Sequence, residues 1–204
     1  MLAISVVGAL ASASLLACAP AKVVKQWSDP ARSGPGYKKV LVMTVWEEAR
    51  PRRTFEDQFA SEFKALGVDA VPSYQFIPED GKVSRERVIQ AVDDSGADAV
   101  IITKLTGRTE HTSLSEGDFW EYSAGVIASE DVGTSYTVAW AAITPSVRET
   151  DMTVWSVESK LFDARSRKPV WVGMSTVREP GNLYRGTALL ARAIFKALTE
   201  RKLL

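Results

Sequence analysis

The chain has 204 residues, with 25 basic and 25 acidic side chains, and 46 % of it is apolar. Balanced charge points away from nucleic acid and polyanionic surfaces as partners, and the apolar fraction suits one folded domain with a short extension. A single His and a single Cys exclude zinc sites built from several such ligands, and any Cys/His nucleophilic pair would have to use that one Cys.

In chain order, Met1 to Ala17 carry no charged side chain, and Leu15-Leu16-Ala17-Cys18 closes the run. The stretch is too short to span a bilayer, which takes ~20 apolar residues; it fits a signal peptide over residues 1–17 with a small-residue cleavage site. An aliphatic residue at −3, a small one at −1 and Cys at +1 resemble the lipobox of bacterial lipoproteins. That resemblance implies a diacylglyceryl thioether on Cys18, palmitate-type acylation and a mature chain beginning there; each buried CH₂ would add ~0.8 kcal/mol of membrane affinity. The Lys or Arg that usually precedes such a core is absent, which leaves a start upstream of Met1 open. Ala19 rather than Asp follows Cys18, so sorting rules for such proteins favour the periplasmic face of the outer membrane, with the inner membrane as the alternative.

Residues 18–37, rich in Pro, Gly, Ala and charge, read as the lipidated N-terminus and a tether. A single α/β domain is expected over 38–204. Lys39 to Trp46 is a continuous apolar run, the mark of a strand covered on both faces. A helix follows, with Thr54 and Asp57 as a capping pair, Phe55, Phe59, Phe63 and Leu66 at helical spacing, and Gly67 as its stop. Val68 to Val71 is a short strand ended by Pro72. Ser84 caps a second helix, Gly96 terminates it, and Ala99 to Ile102 is a third buried strand. Strand–helix–strand–helix–strand with short connections implies right-handed parallel crossovers.

Beyond Leu105 the pattern changes. Residues 106–133 read as an irregular insertion, acidic except for Arg108 and carrying Phe119, Trp120 and Tyr122. Thr134 to Thr144, Thr150 to Asp163 and Pro169 to Val177 read as an antiparallel meander, with Tyr136, Val138, Trp140 and Ala142 on one face of its first strand. A helix from about Asn182, with Leu190, Ile194 and Leu198 on one face, closes the chain. The fold class expected is mixed α/β, two- or three-layered: β-α-β-α-β, then the meander and a C-terminal helix.

Candidate chemistry is sparse. Ser61-Glu62-Phe63-Lys64 has the SxxK spacing of penicillin-recognising enzymes, but no KTG-type strand or SDN-type loop accompanies it and it lies on a regular amphipathic helix. His111 sits in a polar loop, where a lone imidazole is ordinarily solvated. The carboxylates between Glu110 and Asp131 leave room for a carboxylate-based cell-wall glycan hydrolase. Phe119, Trp120 and Tyr122 are the residue types that anchor interfaces and are the partner-binding candidates. No P-loop or dinucleotide fingerprint occurs, and no cofactor or metal is expected.

Lys39–Trp46, Arg53-Thr54-Phe55-Glu56-Asp57, Val71-Pro72-Ser73-Tyr74, Gly96-Ala97-Asp98-Ala99-Val100 and the late pair Glu158-Ser159-Lys160-Leu161-Phe162-Asp163-Ala164 with Lys168-Pro169-Val170-Trp171 resemble a family of uncharacterised proteobacterial lipoproteins. The element order is similar to the small α/β domain of the TolB N-terminal region, CsgG and related envelope lipoproteins, a fold-level analogy. The resemblance implies a non-enzymatic, membrane-anchored binding or assembly module with a periplasmic protein partner or self-association. An oligomeric ring or pore component is an alternative.

Overall fold

A computed structural model describes residues 20–78, 82–107, 131–141, 154–178 and 181–204. Its elements in chain order are β1 (Ala21–Ser28), β2 (Lys39–Val45), α1 (Ala49–Ala65), β3 (Asp69–Pro72), a single 3₁₀ turn (Ser73–Gln75), α2 (Arg85–Ser95), β4 (Ala99–Gly107), α3 (Val132–Ala141), β5 (Val154–Asp163), β6 (Pro169–Arg178) and α4 (Leu183–Glu200). The strands form one six-stranded sheet in the order β1-β6-β5-β4-β2-β3. The pairs β2–β3 and β2–β4 are parallel, and the remaining pairs are antiparallel. The mixed α/β class expected from the sequence is the class observed.

The unbroken apolar run of β2 has a simple cause. Val40 and Val42 face one core with Phe59, Phe63, Leu161, Trp171, Leu190 and Ile194, beneath α1 and α4. Leu41 and Met43 face a second core with Val88, Val92, Val100, Ile102, Tyr136 and Phe162, beneath α2 and α3. With both faces covered, every position of the strand after Lys39 is buried. The helices α1 and α2 lie on opposite faces because the chain steps outward from β2 to β3 and then back across β2 to β4. A constant crossover hand then requires opposite faces.

Local signals account for α2 and α4. The Ser84 hydroxyl accepts from the Arg87 N–H at 3.2 Å, and Gly96 ends α2 with φ of 59°. The Asn182 side chain accepts from the Arg185 N–H at 2.8 Å to open α4.

Four expectations are corrected. Residues 21–28, read as tether, form edge strand β1, because Ala21, Lys22, Val23 and Val24 alternate half-buried and exposed against β6. The domain therefore begins near residue 20, not at 38. The helix α1 starts at Ala49, not at Thr54, and Glu48 supplies no side-chain cap. Pro51 is tolerated in its first turn, where the backbone N–H has no helical partner anyway. The strand expected at Thr134–Thr144 is helix α3 over its described part. Asp131 caps it by accepting from the Thr134 N–H at 2.9 Å, and Val132, Tyr136 and Ala139 share the buried face while Val138 is 50 % exposed. The antiparallel part of the described sheet therefore runs β4-β5-β6-β1, with α3 standing between β4 and β5 in the chain where the first strand of the meander was expected.

Candidate functional site

The strand directions gather several features at one end of the sheet. There β2, β4 and β6 finish and β1 and β5 begin. Cys18 precedes Pro20 by two residues, and the Pro20 carbonyl accepts from the Arg178 N–H at 2.7 Å. Chain length alone thus keeps Cys18 within ~7 Å of a residue fixed in the sheet. The connection carrying Phe119, Trp120 and Tyr122 leaves β4 at this same end, after Gly107. Cys18, His111, Phe119, Trp120 and Tyr122 themselves lie outside the described residues.

Among the described residues, exposed side chains at this end of the sheet include Lys22 on β1, Arg178 at the end of β6, and Tyr184 and Arg185 in the first turn of α4. Leu183 points into the core and Tyr184 outward, 63 % exposed. The strand β1 itself is a protected edge. A bulge between Val23 and Lys25 leaves Val24 unpaired, and Lys22 and Lys25 flank it. Bulges and lysines are how edge strands avoid adding further strands.

Deeper at this end lies a charged network that composition alone did not reveal. Glu56 is fully buried on α1. Its carboxylate accepts from the Thr44 N–H at 3.1 Å, the Ser73 hydroxyl at 2.8 Å, the Tyr74 N–H at 3.0 Å and Arg52 Nε at 3.3 Å. The Arg52 guanidinium also donates to Ser73 Oγ and to the Ile77 carbonyl, both at 3.1 Å. Burial pushes the Glu56 carboxyl above its ordinary range, opposed by Arg52, Ser73 and the two backbone N–H groups. Both carboxylate oxygens accept from the protein, so the network ties α1 to β2 and the turn after β3.

The polar strip on β4 and β5 is likewise engaged. Lys104 stands opposite Glu158 in the ladder, Lys160 Nζ lies 3.2 Å from Glu158 Oε1, and Lys160 donates to Ser135 Oγ at 3.3 Å. Burial lowers the Lys104 amine, with Glu158 opposing and Lys160 reinforcing. Of the acidic residues 110–131, only Asp131 is described, and it caps α3 and pairs with Arg85. Burial pushes its carboxyl up, but Arg85 and the Thr134 N–H hold it below its ordinary value.

At the opposite end, a concavity of about 760 Å³ is lined by Arg32, Tyr37, Asp93, Asp98, Asp163 and Arg165, among others. Its polar groups serve the fold. The Tyr37 hydroxyl donates to Asp163 at 3.1 Å and accepts from Arg32 Nε at 3.2 Å, and Asp98 accepts from the Lys38 and Lys39 N–H groups at 2.9 Å each. On α1, Ser61 and Lys64 are exposed, and Glu62 between them bonds Arg192 at 2.7 Å and Gln58 at 3.0 Å, so the SxxK spacing is an ordinary helix surface. Among the described residues, no group of His, Cys, Asp or Glu could hold a metal ion, and no helix is long and apolar enough to cross a membrane.

No protein-family model and no curated protein matches the chain. Solved structures similar to it include the PelC dodecamer from Paraburkholderia phytofirmans, with 16 % identity, 88 % of this chain and 95 % of that chain covered, and a TM-score of 0.44. Lipoprotein GNA1162 from Neisseria meningitidis has 15 % identity, 70 % and 81 % coverage and a TM-score of 0.38. LpoB of E. coli has 9 % identity, 88 % and 84 % coverage and a TM-score of 0.28. At scores below 0.5, these likenesses carry nothing about what this chain binds.

Proposed function

We propose that this chain is an envelope lipoprotein, held by acyl groups on Cys18 to the periplasmic face of the outer membrane, and that it serves as a binding or assembly module rather than an enzyme. The observation that carries this reading is the position of Cys18. It closes a short apolar run as Leu15-Leu16-Ala17-Cys18, and the residue two places on is already locked into the sheet by Arg178. An anchor placed there holds a folded domain at the membrane. The use of Glu56, Glu158 and Asp131 as internal ties supports the non-enzymatic part.

Growth with labelled fatty acid tests the anchor. The wild-type chain should take up label and fractionate with membranes, and Cys18→Ala should lose both. Equal labelling of the two would overturn the reading. A photo-crosslinking residue placed at Trp120 in cells tests the binding role; adducts at Trp120 that are missing from a control site on α1 are expected.

A further inference from the structure

We propose that the corner formed by the start of β1, the end of β6 and the first turn of α4 lies in the headgroup layer of the anchoring membrane, with Tyr184 at the interface and Lys22, Arg178 and Arg185 against anionic lipid phosphates. This deepens the anchor reading and rests on it.

Three observations converge. The first is reach. Only Ala19 separates Cys18 from Pro20, whose carbonyl is held by Arg178, so an acylated Cys18 sits within ~7 Å of the sheet. A bilayer of ~40–45 Å with a ~30 Å hydrocarbon core leaves a headgroup zone only several Å deep on each side. A domain on so short a lead cannot stand off from it; the residues flanking Pro20 meet the headgroups.

The second is chemistry. Among the described residues, the side chains exposed near this end of β1, β6 and α4 include an aromatic alcohol and three cations. Tyr is enriched at membrane interfaces because its ring is apolar and its hydroxyl wet. Lys and Arg near an anionic surface are drawn to its phosphates. The third is the lie of the chain. Leu183 on α4 is buried and Tyr184 is 63 % exposed, so the helix start displays most of the tyrosine outward. Gly181, at φ of 75°, lets the chain turn from β6 into α4 at this corner, with the Arg185 side chain lying over it.

The test uses the full acylated chain in vesicles of phosphatidylethanolamine and phosphatidylglycerol. With Cys18 acylated, an environment-sensitive dye on Tyr184→Cys reports this corner. The same dye on Ser166→Cys reports the exposed β5–β6 turn at the far end of the sheet. A nitroxide on the lipid headgroup should quench the dye at position 184 several-fold more strongly than at 166. Replacing Lys22, Arg178 and Arg185 by Glu should cut that difference. Mass measurement of the N-terminal peptide from the same sample separates the two readings. Acylated Cys18 with equal quenching at both positions overturns the corner alone; Cys18 without lipid overturns the anchor and the corner together.

Discussion

The Ser73 hydroxyl donates to Glu56 Oε1 at 2.8 Å while its oxygen accepts from Arg52, so one serine joins a buried cation to a buried anion across α1 and the turn after β3. Both charged side chains are essentially solvent-free, at 1 % and 0 % exposure. Each is tolerable only because the other is present, for a lone buried charge is far costlier than a pair.

Glu56→Gln should therefore destabilise the domain by about 3–5 kcal/mol, the usual cost of stranding a buried partner. Ser73→Ala should cost less, about 1–3 kcal/mol, by leaving one donor and one acceptor short. Urea unfolding of both variants against wild type checks the order. A Glu56→Gln chain as stable as wild type would mean that the network does not hold α1 in place.

Asp163 supplies the pH-dependent prediction. Burial pushes its carboxyl up, but the Ser166 N–H and hydroxyl, the Tyr37 hydroxyl and Arg32 outweigh burial and hold it below its ordinary value. In the window between the folded value and the ordinary one near ~3.9, the unfolded chain binds more protons, so stability rises with pH there. The contribution is complete above the ordinary value and is lost as pH falls through the folded one. Asp163→Asn should thus show a stability deficit at neutral pH, below about 1 kcal/mol for so solvated a group, that closes in acid. A gap that widens in acid would contradict the assignment.

Gly173 lies beneath the Trp171 indole, where a Cβ would overlap the ring. That indole donates to Gln26 on β1 at 2.9 Å. Gly173→Ala should displace the ring, break this tie and cost about 1–3 kcal/mol, as overpacking does. Loss of protection of the β1 amides in hydrogen exchange would locate the damage at the edge strand.

Gly133 makes a similar contact between helices, since a Cβ there would come within 2.7 Å of Arg85 Cγ and 2.9 Å of the Arg85 carbonyl. Alanine is the better helix former by about 1 kcal/mol. The carbonyl cannot swing away as a side chain can, so Gly133→Ala should still lower the melting temperature.

Simultaneous replacement of Phe119, Trp120 and Tyr122 by Ala should leave the melting temperature near that of wild type and abolish crosslinking at neighbouring positions in cells. Retention of all adducts would remove these aromatics from the binding role.

Where one residue's chemistry decides local structure, the sequence was readable. Ser84 and Gly96 bound α2 because a hydroxyl and a left-handed glycine act on their own turn. The β5–β6 hairpin was visible because Trp155, Val157 and Leu161 alternate against a sheet. Helix α3 was missed because Tyr136, Val138, Trp140 and Ala142 also alternate. The spacing of Val132, Tyr136 and Ala139 behind the cap Asp131 was the competing signal, and packing against α2 decided between them. Strand β1 was missed because its lysines and flanking prolines look like a linker until β6 lies beside it. Arg52 and Glu56 stand four apart on α1, but their burial depends on Thr44, Ser73 and Ile77, and the Lys22–Arg178–Tyr184 corner likewise unites residues far apart in the chain, so no local pattern announces either.

The pairing of β1 with β6 also orders events in time. Ala21 has no strand partner until Val177 has been made, and such long-range pairings come late in folding. In the exported, acylated chain proposed above, β1 would join the sheet only when β6 arrives. In that view, the edge strand acts as a latch that closes after lipid has been attached.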